Sequence, residues 1–476
     1  MEDVLARLAE LQAGDLPVHG GRTLAYVYDS GRPEVDRIGR EAVAAYAGSN
    51  GLDPTSFPSL LAMENELVGF TCDLLSAPPS AVGSVTSGGT ESVLLAVQGA
   101  RDSRPDVADR SMTPSMVVPS SVHAAFHKAA HYFGVSARVV PVGADFRADV
   151  AATAAAVDES TVLVVGSAPS YAHGVVDPIR SLAPLAAERG IRFHVDACIG
   201  GWVLPYAERL GRPVPPWSFE VEGVTSISVD THKYGYAPKG TSVLVHRTPE
   251  LRRPQFFASA DWPGYTMLNA TMQSTKSGGP LAGAWAVMRH LGSAGYLALA
   301  ADVFAAVDRI VAGLPAGLSV VVPPDSTLVA LATDGTCDAF TVCDEMKQRG
   351  WYVQPQMSYA GAPPTIHLSV SAATLASVDE LLADLASAVA AARALGPVDV
   401  PQGVRDFIEA LDPAALTDDD FDGLLAASGL LADPSAGLAL PERMAPVNAM
   451  LDLASPALRE SLLIAFLDRL QRPVRA

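Results

Sequence analysis

The sequence predicts an α/β protein with a mostly parallel sheet flanked by helices, followed by a smaller C-terminal α/β domain. Two observations support this. Short apolar runs alternate with segments of helical spacing from about residue 58 to 290. Beyond residue 290 a long helical stretch leads into a second, shorter set of strand and helix patterns. We therefore expect an N-terminal arm (1–57), a large domain (58–290), a small domain (291–396) and a helical extension (397–476).

The individual elements follow from apolar spacing. The arm is expected to be irregular apart from one early amphipathic helix carrying Val4, Leu5, Leu8 and Leu11. In the large domain we predict strands at 115–119, 137–142, 161–166, 193–197, 226–229 and 241–246, the last one antiparallel. Helices are predicted there at 57–75, 91–100, 122–133, 151–156 and 179–189. In the small domain we predict strands at 328–333, 352–354 and 365–370, and helices at 296–314, 338–349 and 375–395.

Composition excludes several classes of protein. The net charge is 33 − 52 = −19, so there is no basic excess to neutralise nucleic-acid phosphates. The four cysteines are scattered and form no C-x-x-C pair, which argues against a zinc site or a disulfide framework. The N-terminus lacks a signal peptide's apolar core, and no stretch reaches the roughly 20 apolar residues of a membrane span. We expect a soluble cytoplasmic protein without a membrane span.

A lysine and an aspartate follow two neighbouring predicted strands. Lys233 lies in the segment DTHKYG, four residues after the strand that ends at Val229. A lysine amine beside a cleft can form a Schiff base with the aldehyde of pyridoxal phosphate (PLP). Asp196 follows the apolar run 191–195 of the preceding strand and is suited to pair with the pyridinium nitrogen of that cofactor. A surface lysine and a helix-capping aspartate are the ordinary alternatives, which the combination of both residues disfavours.

Three further segments fit the same cofactor. Gly88, Gly89 and Thr90 precede a predicted helix, where backbone N–H groups bind phosphate. His123 begins another predicted helix, and its flat ring is suited to lie over the cofactor. His232, next to Lys233, could donate a hydrogen bond to the cofactor phosphate.

The remaining candidates are a lysine and several histidines. Lys239 could serve as a second catalytic amine, and His173 is expected to face the same cleft. His127 and His131 follow His123 at helical spacing, which is also a metal-binding pattern. No carboxylate or cysteine completes such a set, so we predict no metal.

The chain resembles the sphingosine-1-phosphate lyase family, PLP-dependent decarboxylase-like enzymes of fold type I, over about two thirds of its length. The matching segments are TSGGTES (86–92), HAAFHKAA (123–130), HGVVDP (173–178), HVDACIGG (194–201) and GVTSISVDTHKYGYAPKG (223–240). The later ADW (260–262) and Gly278-Gly279 also fit. The resemblance implies a homodimer with shared active sites, and the roles given above for Lys233, Asp196 and His123.

The resemblance also implies catalytic helpers. These are Lys239 and an arm tyrosine, Tyr28 in preference to Tyr26. It further makes Gly278 a cofactor-binding residue. The chain departs from the family pattern at two positions. Asp53 replaces a histidine near the substrate phosphate. Lys276 replaces an arginine, so a guanidinium that can donate two parallel hydrogen bonds is exchanged for a single ammonium group.

Three functions remain open on this evidence. The first is a PLP-dependent carbon–carbon lyase that cleaves a phosphorylated long-chain amino alcohol, such as sphingosine 1-phosphate, into an aldehyde and an amine. The second is a PLP-dependent amino acid decarboxylase. The third is a cofactor-free binding or scaffold protein on the same fold. His367 stands on a small-domain strand where transaminases of this fold usually place a carboxylate-binding arginine, which disfavours transamination.

Overall fold

The computed structural model describes residues 1–104, 112–427, 441–471 and 473. Its large domain contains a seven-stranded sheet in the order β1-β7-β6-β5-β4-β2-β3. Strand β7 pairs antiparallel with both β1 and β6, and the other pairs are parallel. The predicted mostly parallel sheet with one antiparallel strand is therefore confirmed. The strands are β1 Val82–Thr86, β2 Ser115–Pro119, β3 Ser136–Val140, β4 Thr161–Ser167, β5 Arg192–Asp196, β6 Ser226–Val229 and β7 Ser242–His246.

Both faces of this sheet are buried under helices, as continuous apolar strands require. Strand β2 shows the division, because Val117 belongs to one hydrophobic cluster while Met116 and Val118 belong to another. Successive side chains point to opposite faces of a strand. The helices of the arm and large domain are α1 Glu2–Gln12, α2 Pro33–Ala45, α3 Pro58–Leu74, α4 Gly89–Asp102, α5 Ala125–Phe133, α6 Val150–Ala156, α7 Ile179–Ala187, α8 Leu204–Arg209, α9 Pro249–Arg252 and α10 Gly279–Ala312.

The arm is more regular than predicted. Helix α2 was not expected, yet Pro33 stands at its first turn and Glu34 and Asp36 add favourable charge there. Val35 is buried in the main core, and a Cβ at Gly39 would lie 3.0 Å from Pro238 and 3.4 Å from Val287 of α10. The arm is therefore packed onto the large domain. The prediction of a single arm helix was wrong, because α2 has a clear amphipathic spacing that was overlooked.

The small domain holds a four-stranded antiparallel sheet in the order β10-β11-β13-β12. Helix α10 crosses the predicted boundary at residue 290, and its backbone leaves helical geometry at Gly292 (φ +52°). The division into domains stays a prediction. Before α10, β8 Phe257–Ser259 and β9 Met267–Asn269 form a separate hairpin. The elements after α10 are β10 Leu318–Val320, β11 Leu328–Thr333, α11 Ala339–Gln348, β12 Gln354–Gln356, β13 Thr365–Ser369 and α12 Val378–Leu395. Short 3₁₀ turns occur at Gly200–Trp202, Arg253–Gln255 and Ala372–Ser377.

The C-terminal extension forms a helical unit with its own apolar core. Its helices are α13 Gln402–Ala410, α14 Asp418–Ala427, α15 Ala445–Leu453 and α16 Pro456–Leu470. The extension is attached to α11, since Asp344 accepts hydrogen bonds from the backbone N–H groups of Met444 and Ala445 at 2.9 and 2.8 Å. Within the described residues, no helix has the length and apolar character needed to cross a membrane.

Candidate active site

A cleft of about 350 Å³ opens where the parallel strands of the large sheet end. Ser167 is the last residue of β4, Asp196 is the last residue of β5, and Asp230 directly follows β6. Ligands of open α/β sheets bind outside these carboxyl ends. The cleft is lined by Ser87, Gly88, Gly89, Thr90, Glu91, Val93, His123, Ser167, Pro169, Tyr171, Asp196, Cys198, Ile199, Asp230, His232 and Lys233. Seven of the residues predicted from sequence therefore lie around one cleft.

Lys233 forms an ion pair inside this cleft. Its Nζ lies 3.0 Å from Oδ2 of Asp230, whose side chain is 2% exposed. Burial disfavours the ammonium and would lower its pKa, but Asp230 together with Tyr28, Cys198 and Asp196 more than offsets burial, so the pKa of Lys233 is raised above its usual range. Burial also opposes the ionised form of Asp230, yet the charge of Lys233 lowers the pKa of that carboxyl group. Asp230 was not singled out from sequence, although it stands three residues before the lysine.

Asp196 is held at the end of β5 by local hydrogen bonding. Its Oδ1 accepts the Cys198 backbone N–H at 3.1 Å, and the residue is buried. Two residues earlier, His194 lies between the hydroxyl groups of Ser226 and Ser228, at 2.9 and 3.1 Å. Burial lowers the pKa of His194 to about 4, so it stays neutral near pH 7. The Asp196 carboxylate is therefore oriented by its local hydrogen bond, and His194 beside it is neutral.

The glycines before α4 shape an anion cradle. Gly88 has φ +154°, a conformation that favours glycine. A Cβ at Gly89 would lie 2.8 Å from both carboxylate oxygens of Asp230 and from the sulfur of Cys198. Helix α4 spans 14 residues, so its N-terminus presents unpaired N–H groups and the positive end of the helix dipole. The cleft thus combines phosphate donors, an amine and a carboxylate, which are the three groups that PLP requires.

The structure separates the histidine candidates. His123 lines the cleft from the turn before α5, which begins at Ala125 and not at residue 122 as predicted. His127 and His131 are exposed on that helix. His173 is not among the residues that line the cleft, and its ring stacks on Phe146 with centroids 4.2 Å apart.

Tyr171 lines the cleft two residues before His173, and sequence reasoning missed it. Its ring stacks on His367 at 4.3 Å and lies 6.3 Å from His123 in an edge-on arrangement. Its hydroxyl donates to Oε1 of Gln354 at 2.7 Å. The segment was noticed for its histidine, but the pattern carries no signal for which ring faces the cleft.

Lys239 and Tyr28 lie together beside Lys233. The Lys239 Nζ is 4.9 Å from the Tyr28 ring centroid and donates to the Tyr26 carbonyl oxygen at 2.9 Å. Lys239 as a whole is exposed, but its ammonium group is partly withdrawn from water. This desolvation and the charge of Lys233 lower the pKa of Lys239 to about 8. Burial raises the pKa of Tyr28, and Lys233 opposes that shift. Tyr26 is exposed with φ +64° and meets Lys239 through its backbone carbonyl oxygen, whereas the side chain of Tyr28 is the one that contacts Lys239 and influences Lys233.

His232 donates from Nδ1 to the Thr241 carbonyl oxygen at 2.6 Å, because a carbonyl can only accept. Its Nε2 lies 3.6 Å from Asp230 Oδ2. Burial lowers the pKa of His232, which Asp230 partly offsets. Nε2 therefore carries a proton only when the ring is charged, a state that a bound phosphate would favour.

Gly278 lines a second pocket, which shares Ser87 with the cleft. Lys276 and Gly51 line the same pocket, and the Gly51 N–H donates to the Lys276 carbonyl oxygen at 2.8 Å. Asp53 is exposed, and its carboxylate accepts the Thr55 N–H at 2.8 Å and the Thr55 and Ser56 hydroxyls. These bonds lower the pKa of Asp53. Asp53 therefore stabilises its own turn.

The described residues contain one group with metal-ligand spacing, away from the cleft. It consists of His19, Asp29 and Asp36, whose ligand atoms lie within 4.8 Å of one another. Asp29 already accepts the N–H groups of Gly20 and Gly31 at 2.7 and 2.9 Å. The four cysteines, all described, are free thiols.

The fold and cleft together define a pyridoxal phosphate-dependent enzyme, and comparison with known proteins agrees. Residues 34–312 match the family profile "Pyridoxal-dependent decarboxylase conserved domain". Residues 369–469 match a profile described as "Pyridoxal-dependent enzyme, C-terminal putative HTH domain". A glutamate decarboxylase from Lactobacillus brevis shares the fold at 20% identity, with a TM-score of 0.72 over 83% of this chain and 93% of that one.

Within this class, the chain belongs to the sphingosine-1-phosphate lyase family. It is 41% identical to the lyase of Arabidopsis thaliana over 75% of this chain and 66% of that protein. It is 37% identical to the rat lyase over 78% of this chain and 64% of that protein. It thus spans about two thirds of the length of these relatives. The lyase structure from Burkholderia pseudomallei is 35% identical, with a TM-score of 0.77 over 83% of this chain and 91% of that one.

Proposed function

We propose that this protein is a PLP-dependent aldehyde-lyase that cleaves a phosphorylated long-chain amino alcohol between Cα and Cβ. The observation that carries the proposal is the composition of the cleft. Lys233, Asp196 and His123 surround it, while none of the described residues that line it is an arginine. An α-amino acid would bring a carboxylate that such a fork donor usually binds. The cleft therefore favours a substrate whose amine-bearing carbon has no carboxylate.

The proposed roles follow from position. Lys233 would attach the cofactor, Asp196 would pair with its ring nitrogen, and His123 would lie over its ring. The N–H groups from Gly88 to Thr90 bind its phosphate, assisted by charged His232. Bound PLP supplies an electron sink for the pair released when the carbon–carbon bond breaks.

Lys239 is the proposed base that takes the β-hydroxyl proton. Its lowered pKa of about 8 leaves a useful neutral fraction near physiological pH, which suits general base catalysis. The pKa of Tyr28 is raised, so its hydroxyl keeps its proton and can donate a hydrogen bond to the substrate. His173 stacks on Phe146 and does not line the cleft, so it is the weaker candidate for this base. Lys276, in the pocket beside the cleft, is the proposed partner of the substrate phosphate.

A homodimer with shared active sites is part of the proposal. The hairpin β8–β9 and its flanks expose large apolar residues close to the cleft, and the N–H of Met272 donates to the cleft residue Glu91 at 2.8 Å. Exposed apolar patches of this kind mark protein interfaces. The exposed residues are Phe256, Phe257, Trp262, Tyr265, Leu268 and Met272. We also propose a cytoplasmic location and a division of the chain into the arm, the large domain, the small domain and the extension.

Amino acid decarboxylation is the second candidate, and one comparison favours it. The chain is 31% identical to a Methanothermobacter thermautotrophicus protein described as "Probable L-tyrosine/L-aspartate decarboxylase", over 73% of this chain and 92% of that one. The two reactions differ in products. A lyase yields an aldehyde and an amine, whereas a decarboxylase yields an amine and carbon dioxide.

A mass-spectrometric product assay tests the proposal. Protein reconstituted with PLP receives phosphorylated dihydrosphingosine, its dephosphorylated form and a pool of amino acids in separate reactions. We expect a fatty aldehyde and phosphoethanolamine, with a preference for the phosphorylated substrate. If amines form from the amino acid pool and no aldehyde appears, the proposed lyase activity is wrong and the protein is a decarboxylase. A Lys347→Ala variant, altered at an exposed lysine of α11, serves as the matched control for lysine variants.

A further inference from the structure

Asp230 is placed in direct contact with the amine of Lys233 by a short turn. The carboxylate lies 3.0 Å from Nζ, and the backbone N–H of Lys233 donates to the Asp230 carbonyl oxygen at 3.4 Å. The two residues are three positions apart, so the contact is built by local chain geometry. A neighbouring ring nitrogen, His232 Nε2, lies 3.6 Å from the same carboxylate oxygen.

The surroundings of Asp230 are packed against its carboxylate. Gly89 is so close that a Cβ there would lie 2.8 Å from both carboxylate oxygens. The Oδ1 atom accepts no hydrogen bond from any described residue. A buried carboxylate with one unpaired oxygen is costly unless a charge partner compensates for it. Lys233 is that partner, so the pair stabilises the ionised forms of both residues.

Other charged or titratable groups also face Lys233. Tyr28 approaches from the arm, Asp196 and Cys198 from the end of β5, and His232 and Lys239 from the same loop as the lysine. In the described structure, Asp230 is the carboxylate within ion-pair distance of Nζ. Its removal is therefore the single change that alters the charge state of Lys233 most.

We propose that Asp230 is a positioning residue for cofactor capture, holding Lys233 in an ion pair that opens before the amine bonds the cofactor. This inference rests on the proposed role of Lys233. In the step, the ammonium releases one proton to solvent, and the free lone pair forms a bond to the aldehyde carbon of PLP. The aldehyde oxygen leaves as water with the two remaining amine protons, and a carbon–nitrogen double bond results. Asp230 thereby sets the pH at which capture begins.

Asp230→Asn tests the proposal with little change of shape. Cofactor-free protein would be mixed with PLP across a pH series, quenched with borohydride, and digested to measure the modified fraction of the Lys233 peptide. Because a nearby opposite charge shifts a pKa by about 1–3 units, we expect the midpoint of the capture rate to move down by about one pH unit or more. Capture near neutral pH should then be roughly tenfold faster.

Two variants control the experiment. Asp230→Glu keeps the charge and should keep the midpoint within a few tenths of a pH unit of the parent value. Asp344→Asn removes a buried carboxylate far from the cleft. This carboxylate accepts hydrogen bonds from the backbone of the extension, so its loss should leave the midpoint unchanged. An Asp230→Asn midpoint and rate equal to those of the parent would overturn the proposal for Asp230. Absence of cofactor on Lys233 in every protein would instead overturn the proposed role of that lysine.

The parent protein supplies an independent measurement if Asp230→Asn does not fold. Acetylation of each lysine in the cofactor-free protein, followed by peptide mass spectrometry over a pH series, reports the onset of amine reactivity. We expect the onset for Lys233 at a higher pH than for exposed Lys347. An onset for Lys233 at or below that of Lys347 would contradict the ion pair.

Discussion

The cleft and the C-terminal extension bury opposite kinds of side chain. Around the cleft, the charged groups of Asp230, Lys233 and Asp196 are withdrawn from water. In the part of the extension that the structure describes, the buried residues are apolar, such as Phe421 and Leu458. Burial of apolar surface stabilises a fold, whereas burial of charge costs free energy unless the charges are paired. The difference indicates that the cleft is built for chemistry and the extension for packing.

The charge of the extension sharpens this contrast. Residues 397–476 contain 6 arginines, no lysine and 13 acidic residues, a net charge of 6 − 13 = −7. A surface that binds nucleic-acid phosphates needs the opposite balance. The profile that matches residues 369–469 is described as a putative HTH domain, but the net negative charge of the extension does not suit a surface that binds DNA.

The largest expected effect comes from Lys233→Ala. Loss of the amine that attaches the cofactor should reduce turnover by on the order of 10³-fold or more. It should also remove the absorbance band of the lysine-bound cofactor. Steady-state kinetics and the ultraviolet–visible spectrum check both outcomes, with Lys347→Ala as the control. A variant that keeps the band would show that another lysine holds the cofactor.

Lys239→Met should give the next largest effect, a loss of about 10²–10⁴-fold in kcat, as expected for a general base. The base is active when neutral, so the parent rate should fall as the pH drops through about 8, where Lys239 becomes charged. The pH–rate profile of Lys239→Arg, which stays charged, should lose that limb together with most activity. Full activity with an unchanged profile would move the role to Tyr28 or His173.

Leu458→Ala tests whether the extension contributes to stability without contributing to the chemistry of the cleft. Leu458 is 2% exposed in the extension core, so its truncation should lower the unfolding free energy of the extension by about 2–5 kcal/mol. Urea unfolding followed by circular dichroism measures this. The absorbance of the bound cofactor and kcat should remain those of the parent. A loss of cofactor binding would show that the extension supports the cleft directly.

The smallest effect is expected at the ion pair between Arg443 and Glu345, whose charged atoms lie 2.6 Å apart. Arg443 is partly exposed, so Arg443→Met should cost about 0.2–1 kcal/mol. Hydrogen bonds from Arg349 and then Arg443 lower the pKa of Glu345. A lowered carboxyl pKa gives stability that is present above the unfolded pKa and is lost as the pH falls through the folded value. The difference between Arg443→Met and parent should therefore shrink in acid. A cost that persists there would assign the effect to packing.

Strand-end residues were the most predictable parts of the site. Asp196 and Lys233 follow apolar strands, and parallel strands bring their ends to one edge of a sheet. Asp230 was missed because its importance lies in its ion pair with Lys233. That contact depends on the conformation of the turn between the two residues. Tyr171 and His173 could not be separated, since local sequence does not say which ring faces the cleft. Gly278 was expected with the cleft residues, but tertiary packing places it in the neighbouring pocket.

Borohydride trapping followed by peptide mapping tests the central claim most directly. The parent protein would be reconstituted with PLP, reduced, digested and searched for cofactor on every lysine. We expect the cofactor on the peptide that contains Lys233 and on no other. Attachment at Lys239, at another lysine or at none would contradict the assignment of this cleft as the active site.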